Sequence, residues 1–212
     1  MPVRAVVFDF GSVLSRTDPA YLAAFETDYG ITRADWGPLF RGPRAGERHV
    51  GERFDRDAVE RYLAQELAAL IGDQSFEAAR RLTGVFDDVS SQFPNTDLIR
   101  LVTQLQAAEL PVGILSNGPI ESLELFRELM GSALPEIVVL SGTHQVRKPE
   151  RVAFEAVAKA LRVELGECLF VDDQEEHVEA ARSLGMVRHC YRGDNPRWRP
   201  ICGRRAFAGS SA

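Results

Sequence analysis

The amino-acid sequence predicts an α/β fold, in which a parallel sheet forms the core and an all-helical segment is inserted after the first strand. Short apolar segments alternate with amphipathic segments over the second half of the chain, which is typical of parallel strands joined by helices. Residues 16–95 show helical patterns instead. A chain of 212 residues has room for both parts. We therefore expect residues 1–15 and 96–212 to form the core and residues 16–95 to form a helical cap.

The first predicted strand covers residues 3–10 and is mostly apolar, as expected for a strand covered on both faces. It overlaps the run A-V-V-F-D-F-G-S-V-L at residues 5–14, in which Asp9 closes the strand and Gly11 follows two residues later. A carboxylate at the end of a buried strand loses its hydration unless a cation or hydrogen-bond donors replace the water. Asp9 is therefore the first candidate functional residue.

The remaining elements follow from periodicity and from helix boundary signals. In the inserted segment we predict helices over residues 19–29, 56–70 and 75–91, a loop over 36–54, and a break at Q-F-P-N-T, residues 92–96. In the core we predict strands over residues 112–115, 137–140, 168–171 and 187–191. The core helices are predicted from Thr96 as N-cap, over 119–130, from Pro149 in the first turn to about 161, and over 174–184.

The composition excludes several classes of protein. The formal charge of −6 and the isoelectric point of about 5.3 argue against a nucleic-acid binder. No apolar run approaches the ~20 residues that cross a membrane, and the N-terminus lacks the pattern of a signal peptide. Three cysteines without C-x-x-C spacing favour reduced thiols. We therefore expect a cytoplasmic protein, a monomer or a homodimer, that acts on a small molecule.

Polar residues follow the predicted strands at the edge where parallel sheets bind ligands. They are Asp9 after the first strand, Ser116, Asn117 and Gly118 after the second, Lys148 in a later loop, and the pair Asp172 and Asp173 after the fourth. Taken singly, each has an ordinary structural explanation, such as a cap, a turn or a solvated surface charge. Two adjacent aspartates repel each other unless a cation offsets them. Their joint position at one edge favours a functional site.

The chemistry of such a cluster is constrained. Three carboxylates fit Mg²⁺, which prefers oxygen ligands and attracts a phosphate dianion. Lys148 would neutralise the remaining charge, and the Ser116 hydroxyl would hold a phosphate oxygen. The backbone N–H groups of the turns at Gly11–Ser12 and Asn117–Gly118 would hold the others. Asp9 would then act as a nucleophile that forms an aspartyl phosphate.

The order of these motifs resembles the haloacid dehalogenase superfamily. The first family motif, a strand ending D-x-D-G-[TV], corresponds to F-D-F-G-S-V-L, and the second, a strand ending in Ser or Thr, corresponds to G-I-L-S-N-G. The third, a lysine usually followed by proline, corresponds to V-R-K-P-E. The fourth, an acidic pair after a strand, corresponds to L-F-V-D-D-Q-E-E-H-V-E-A-A-R-S-L-G. The set covers residues 3 to about 191.

The resemblance implies a Rossmann-like core with the helical cap between the first and second motifs. It implies that Asp9 is the covalent nucleophile of a phosphoryl transfer and that Ser116 and Lys148 bind the phosphoryl group. It also implies a Mg²⁺ site. The ligands implied there are Asp9, Asp173, Asp172 directly or through water, and the backbone carbonyl of Gly11.

The departure from the family pattern is Gly11, which stands where family phosphatases have a second aspartate that acts as general acid and base. General acid–base catalysis typically contributes ~10²–10⁴-fold. Three hypotheses follow. The chain is a Mg²⁺-dependent phosphatase of a small phosphorylated metabolite, similar to a sugar-1-phosphate phosphatase branch whose first motif is D-[LF]-G-x-V. Alternatively, it is a metal-independent 2-haloacid dehalogenase with Asp9 as nucleophile, or a non-catalytic protein that binds phosphate and metal.

The predicted loop and cap supply further candidates. Substrate contacts are expected from Phe40, Arg41 and Arg44, and a substitute proton donor from Glu47, Arg48 or His49. Trp36 and Phe54 are expected to be packing residues, and His144 and His177 to be surface residues.

Overall fold

The computed structural model describes residues 2–40, 56–84 and 89–193. Its strands are β1 Ala5–Phe8, β2 Ser15–Thr17, β3 Gln92–Pro94, β4 Val112–Ser116, β5 Ile137–Leu140, β6 Cys168–Asp172 and β7 Val187–Cys190. Its α-helices are α1 Pro19–Tyr29, α2 Arg33–Trp36, α3 Arg56–Ile71, α4 Ser75–Thr83, α5 Thr96–Ala107, α6 Ser122–Met130, α7 Ser141–His144, α8 Arg151–Leu161 and α9 Glu175–Ser183.

The core is a five-stranded parallel sheet in the order β5-β4-β1-β6-β7, which confirms the predicted fold class. β1 lies at its centre, where Val7 pairs with Gly113 on one side and Phe170 on the other. Side chains alternate across the sheet, so Val6 and Phe8 enter one hydrophobic cluster while Ala5 and Val7 enter another. This two-sided burial explains why the first strand is apolar without alternation.

The helical insertion, residues 19–84 in its described parts, has a hydrophobic core of its own. Phe25 of α1, Trp36 of α2, Leu63 and Leu67 of α3, and Leu82 of α4 are buried in one cluster. Asp18 caps α1 by accepting a hydrogen bond from the N–H of Ala20 at 2.8 Å. The predicted helices over 19–29 and 56–70 are confirmed, whereas α4 ends at Thr83 within the predicted helix over 75–91.

Two short strands that the sequence did not predict join the insertion to the core. β2 and β3 form an antiparallel ribbon in which Arg16 pairs with Phe93. Asn95, just after the ribbon, is buried and donates hydrogen bonds from Nδ2 to the Val13 carbonyl at 2.7 Å and the Tyr191 hydroxyl at 2.8 Å. The chain therefore enters and leaves the insertion side by side, tied to the end of β7.

Several predicted boundaries of the core helices are wrong, and the helix predicted over 119–130 begins at Ser122. The N-cap of α5 is Asn95 rather than Thr96, and Thr96 is the first helical residue. α8 begins at Arg151 after the extended residue Glu150, so Pro149 precedes the helix instead of occupying its first turn. Helix boundaries shift in this way because propensity fixes them only to within a residue or two. Throughout the described segments, no helix combines the length and the apolarity that a membrane span requires.

Candidate active site

Three neighbouring strands of the sheet end in acidic or hydroxyl side chains. Asp9 follows β1, Ser116 ends β4, and Asp172 and Asp173 lie at the end of β6. The sheet order places β1 between β4 and β6, so these residues meet at one edge. Carboxylate oxygens of Asp9, Asp172 and Asp173 all lie within 4.8 Å of one another. The structure therefore brings together the three carboxylates that the sequence analysis selected.

Lys148 lies between two of these carboxylates. Its Nζ is 2.8 Å from Asp9 Oδ1 and 2.6 Å from Asp172 Oδ2, and the side chain is only 1% exposed. The main chain of Lys148 is held from both sides by Asn117, whose Oδ1 accepts from the Lys148 N–H at 2.8 Å. Asn117 Nδ2 donates to the Lys148 carbonyl at 2.9 Å. Asn117 thus positions the lysine, a role that its place in a turn did not suggest.

His177 is the residue that the sequence analysis placed wrongly. It was expected at the surface, but it is 5% exposed, and its Nδ1 lies 3.2 and 3.1 Å from the two carboxylate oxygens of Asp172. The N–H of Gln174 also donates to Asp172 Oδ1 at 2.8 Å. A signal was present in the sequence, because His177, Val178 and Ala181 share one face of α9, which is buried. His144, by contrast, is exposed as predicted.

The protonation equilibria of these groups differ because their partners differ. Burial alone would raise the pKa of Asp172, but Lys148 and His177 outweigh it and hold that pKa far below its ordinary value. Burial would lower the pKa of Lys148, yet Asp172 and Asp9 raise it. Burial is the main cause that raises the pKa of Asp9. Burial, followed by Asp9 and Asp172, raises the pKa of Asp173 to about 6.

The charges at this edge do not balance. Three carboxylates lie around the ammonium of Lys148, so full ionisation of all three would leave two negative charges among these described groups. Asp172 is already satisfied by protein donors, whereas Asp9 and Asp173 carry the unfavourable interaction. A divalent cation bound by oxygen ligands would offset this charge, so the donor set fits Mg²⁺.

The turn after β1 carries the residue that departs from the family pattern. Residues Phe10–Leu14 form a tight turn, in which Ser12 adopts a left-handed conformation with φ of 61°. Gly11 has φ of −64° and ψ of 132°, values open to any residue. A Cβ built on Gly11 meets no atom within 4 Å. The position is therefore open space rather than a place where only glycine fits.

The turn after β4 is braced by neighbouring residues. Ser116 is buried and lines the same cavity as Asp9. The N–H of Gly118, which the sequence analysis assigned to phosphate, donates instead to Ser141 Oγ at 3.0 Å. This hydrogen bond supports the turn, and the role of Gly118 in substrate binding stays a prediction.

A cavity of about 980 Å³ lies above the carboxylates, between the sheet edge and the helical insertion. Asp9, Gly11, Ser12, Ser116, Asn117, Gly118, Lys148 and Asp173 line it from the core. Trp36, expected to be a packing residue, is buried in the insertion's cluster and also borders the cavity. Arg41, Arg44, Glu47, Arg48, His49, Phe54 and the side chain of Phe40 lie outside the described residues, so their predicted roles stay predictions.

Known proteins share this sequence pattern. A sequence model of the family described as haloacid dehalogenase-like hydrolase matches residues 3–185. The phosphatase MT3486 of Mycobacterium tuberculosis is 38% identical over 197 residues, which cover 88% of this chain and 86% of the relative. A sesquiterpene phosphatase, astK, of Aspergillus oryzae is 26% identical over 87% of each chain.

Two solved structures share the fold at lower identity. A dehalogenase crystallised with an intermediate complex superposes with a TM-score of 0.70 at 18% identity, covering 88% of this chain and 84% of its own. An enzyme of the same family from Bacteroides thetaiotaomicron, bt-2542, was crystallised with magnesium and inorganic phosphate. It gives a TM-score of 0.56 at 18% identity, covering 92% of this chain and 98% of its own.

Proposed function

The chain belongs to the haloacid dehalogenase-like hydrolase family, and from that premise we propose that it is a Mg²⁺-dependent phosphatase of small phosphomonoesters. The observation that carries the proposal is the cluster of Asp9, Asp172 and Asp173, whose oxygens lie within 4.8 Å of one another beside Lys148. The phosphatase names of the relatives and the magnesium and phosphate of bt-2542 support it.

Mg²⁺ would be held by Asp9, Asp173 and the Gly11 carbonyl. Asp172 would act through a water, because Lys148, His177 and the Gln174 N–H already satisfy its carboxylate. When bound, Mg²⁺ would supply Lewis-acid stabilisation of the phosphoryl group and help to orient it toward Asp9.

Two displacements at phosphorus complete the reaction. A carboxylate oxygen of Asp9 forms a bond to phosphorus while the ester P–O bond breaks, and the electron pair leaves on the alcohol oxygen, which takes up a proton. Water then attacks the phosphorus, loses a proton, and displaces the Asp9 carboxylate as inorganic phosphate forms. Lys148 and the Ser116 hydroxyl stabilise the phosphoryl oxygens during both steps.

Because Gly11 has no side chain, the first motif has no obvious donor of the proton that the departing alcohol needs. An alcohol of low pKa, such as the anomeric oxygen of a sugar, departs with less help than a simple alkyl alcohol. A residue of the predicted cap is the other source, and Glu47, Arg48 and His49 remain the candidates.

Cytoplasmic location and a monomeric or homodimeric state remain parts of this proposal.

The proposal is tested by phosphate release from p-nitrophenyl phosphate and a panel of sugar phosphates, with Mg²⁺ or with EDTA. We expect release with Mg²⁺ only, and its loss by at least about 10³-fold in Asp9→Asn, which removes the nucleophile. Asp97→Asn is the matched control, because Asp97 is an exposed carboxylate that pairs with the exposed Arg100.

A 2-haloacid dehalogenase is the second candidate, favoured by the structural likeness to a dehalogenase. The carboxylate of Asp173 opposes it, since it would place uncompensated negative charge beside an anionic substrate. Chloride release from 2-chloropropionate without metal would establish that alternative. If neither product forms but Mg²⁺ raises the melting temperature, the third hypothesis of a non-catalytic binding protein is correct.

A further inference from the structure

The cavity has two chemically different parts. At the sheet edge, Asp9, Ser116, Lys148 and Asp173 present charges and a hydroxyl to it. The helical insertion lines the other side mainly with the apolar side chains of Leu22, Leu39, Val59, Leu63 and Leu82, and with the ring of Tyr62. A phosphoryl group seated on the acidic edge would therefore direct its organic part toward the insertion.

The apolar wall is part of a packed core. Val59, Leu63 and Leu82 are at most 6% exposed within the insertion's own cluster, and Leu22 and Leu39 pack against it. Side chains held in this way keep their positions when a ligand enters, so the wall is preorganised.

The core adds an aromatic pair beside Asp9, and both of its side chains are only 2% exposed. Phe10 of the first motif and Phe126 of α6 stack with ring centroids 3.5 Å apart, and both border the cavity. Phe10 immediately follows Asp9, so this aromatic pair lies at the junction between the charged edge and the apolar wall. The cavity lining therefore changes from charged to apolar groups within one residue, between Asp9 and Phe10.

Polar partners are scarce on the insertion's side. Among the described residues that it contributes to the lining, Arg33, Trp36 and Tyr62 carry polar side-chain atoms. The indole N–H of Trp36 donates to Glu26 Oε1 at 3.1 Å, and the Arg33 guanidinium lies over the Trp36 ring, 5.3 Å from its centroid. Apart from these three, the described part of the insertion offers no polar side chain along this lining, so most hydroxyls of a sugar placed there would lose water without a side-chain partner.

Resting on the proposed phosphatase function, we propose that the substrate is the phosphate monoester of an apolar alcohol, with a hydrocarbon or aromatic skeleton, rather than a sugar phosphate. The volume of about 980 Å³ leaves room for a skeleton well beyond a few carbons. Contact of that skeleton with the partly exposed side chains of Leu22, Leu39 and Tyr62 would bury apolar surface and favour binding, and the acidic edge would supply the chemistry.

The test compares two esters that differ mainly in hydroxyl groups, cyclohexylmethyl phosphate and glucose 6-phosphate. Both carry phosphate on a CH₂ attached to a six-membered ring, so the leaving groups are similar. We expect kcat/KM to be at least 10-fold higher for cyclohexylmethyl phosphate, mainly through a lower KM. Equal values of kcat/KM, or a preference for glucose 6-phosphate, would overturn this inference about the substrate. Mg²⁺-dependent turnover of p-nitrophenyl phosphate would in that case still support the proposed phosphatase function. No Mg²⁺-dependent turnover of any ester would overturn both.

A substitution in the apolar wall tests whether these side chains cause the preference for cyclohexylmethyl phosphate. Leu22→Gln should reduce the ratio of the two kcat/KM values about 10-fold by raising KM for cyclohexylmethyl phosphate, and Leu22→Met should retain it. Leu70→Gln is the matched control, because Leu70 is 53% exposed on α3 and is not among the lining residues. An unchanged ratio in folded Leu22→Gln would contradict the assignment of the wall, and the comparison of esters on the unmodified protein stands even if that variant does not fold.

Discussion

Two buried ionic clusters, one at the sheet edge and one in the helical insertion, differ in how tightly they are closed. At the sheet edge, Lys148 contacts Asp9 and Asp172 at 2.8 and 2.6 Å, and all three side chains are at most 7% exposed. In the insertion, buried Glu60 accepts a hydrogen bond from Thr83 Oγ1 at 3.0 Å.

The arginines of the second cluster are more distant and more solvated. Arg56 and Arg80 approach Glu60 only to 4.0 and 3.9 Å, and their side chains are 36% and 65% exposed. Charges that face water are screened, whereas charges closed off from it are not. The ionic groups of the insertion therefore help to join α3 to α4. The ionic groups of the sheet edge instead place poorly screened charge beside a cavity.

Replacing the central cation gives the largest expected effect. Lys148→Met should lower kcat for p-nitrophenyl phosphate by more than about 10³-fold, because phosphoryl stabilisation and the position of Asp9 are lost together. It should also destabilise the fold by about 3 kcal/mol, because two buried carboxylates lose their partner. Steady-state kinetics and urea unfolding measure both quantities.

The matched control is Glu60→Gln in the insertion, which keeps the acceptor for Thr83. It should change the free energy of unfolding by less than about 1 kcal/mol and leave kcat unchanged. If both variants had equal effects on stability and activity, the distinction between the two clusters would be wrong.

Restoring an acid at the first motif gives the next largest effect. Gly11→Asp should raise kcat for simple alkyl phosphates about 10- to 100-fold, since a Cβ meets no atom within 4 Å and the backbone angles suit aspartate. Gly11→Asn is the control for size without acidity. A folded Asp variant that binds Mg²⁺ without gaining activity would indicate that another residue already transfers the proton.

The smallest effect concerns the pH dependence of stability. The pKa of Asp173 is raised from 3.8 to about 6, so the folded state binds more protons than the unfolded state between these values. The contribution of Asp173 to the free energy of unfolding therefore falls as pH rises from about 4 to about 6. At pH 7 the carboxylate is ionised, and its destabilising effect is nearly complete. Asp173→Asn removes it and should stabilise the metal-free protein at pH 7 by roughly 1–2 kcal/mol, but not at pH 4.

Melting temperatures measured in EDTA at pH 4 and pH 7 test this prediction, with Asp97→Asn as the exposed control. Added Mg²⁺ should stabilise the parent protein at pH 7 and have little effect on Asp173→Asn, because the variant lacks a ligand. Destabilisation of the metal-free variant at pH 7 would contradict the assigned charge imbalance.

The sequence predicted the sheet edge better than its surroundings, for a physical reason. Asp9, Ser116 and the Asp172–Asp173 pair follow apolar strands, and the parallel topology alone brings strand ends together. The roles of His177 and Asn117 depended on how α9 and the Lys148 loop pack against that edge. Three-residue strands such as those of the ribbon carry too few residues for a period of two to be recognised.

The ribbon has a consequence for how this protein can change. The Asn95 N–H donates to the Leu14 carbonyl at 2.9 Å, and this bond and the β2–β3 pairing hold the two crossings between sheet and insertion side by side. Substitutions in the described parts of the insertion are therefore expected to change the wall that faces the substrate without moving the strand ends that carry Asp9, Asp172 and Asp173. Such a chain can acquire specificity for a different substrate while the groups that carry out the hydrolysis stay in place.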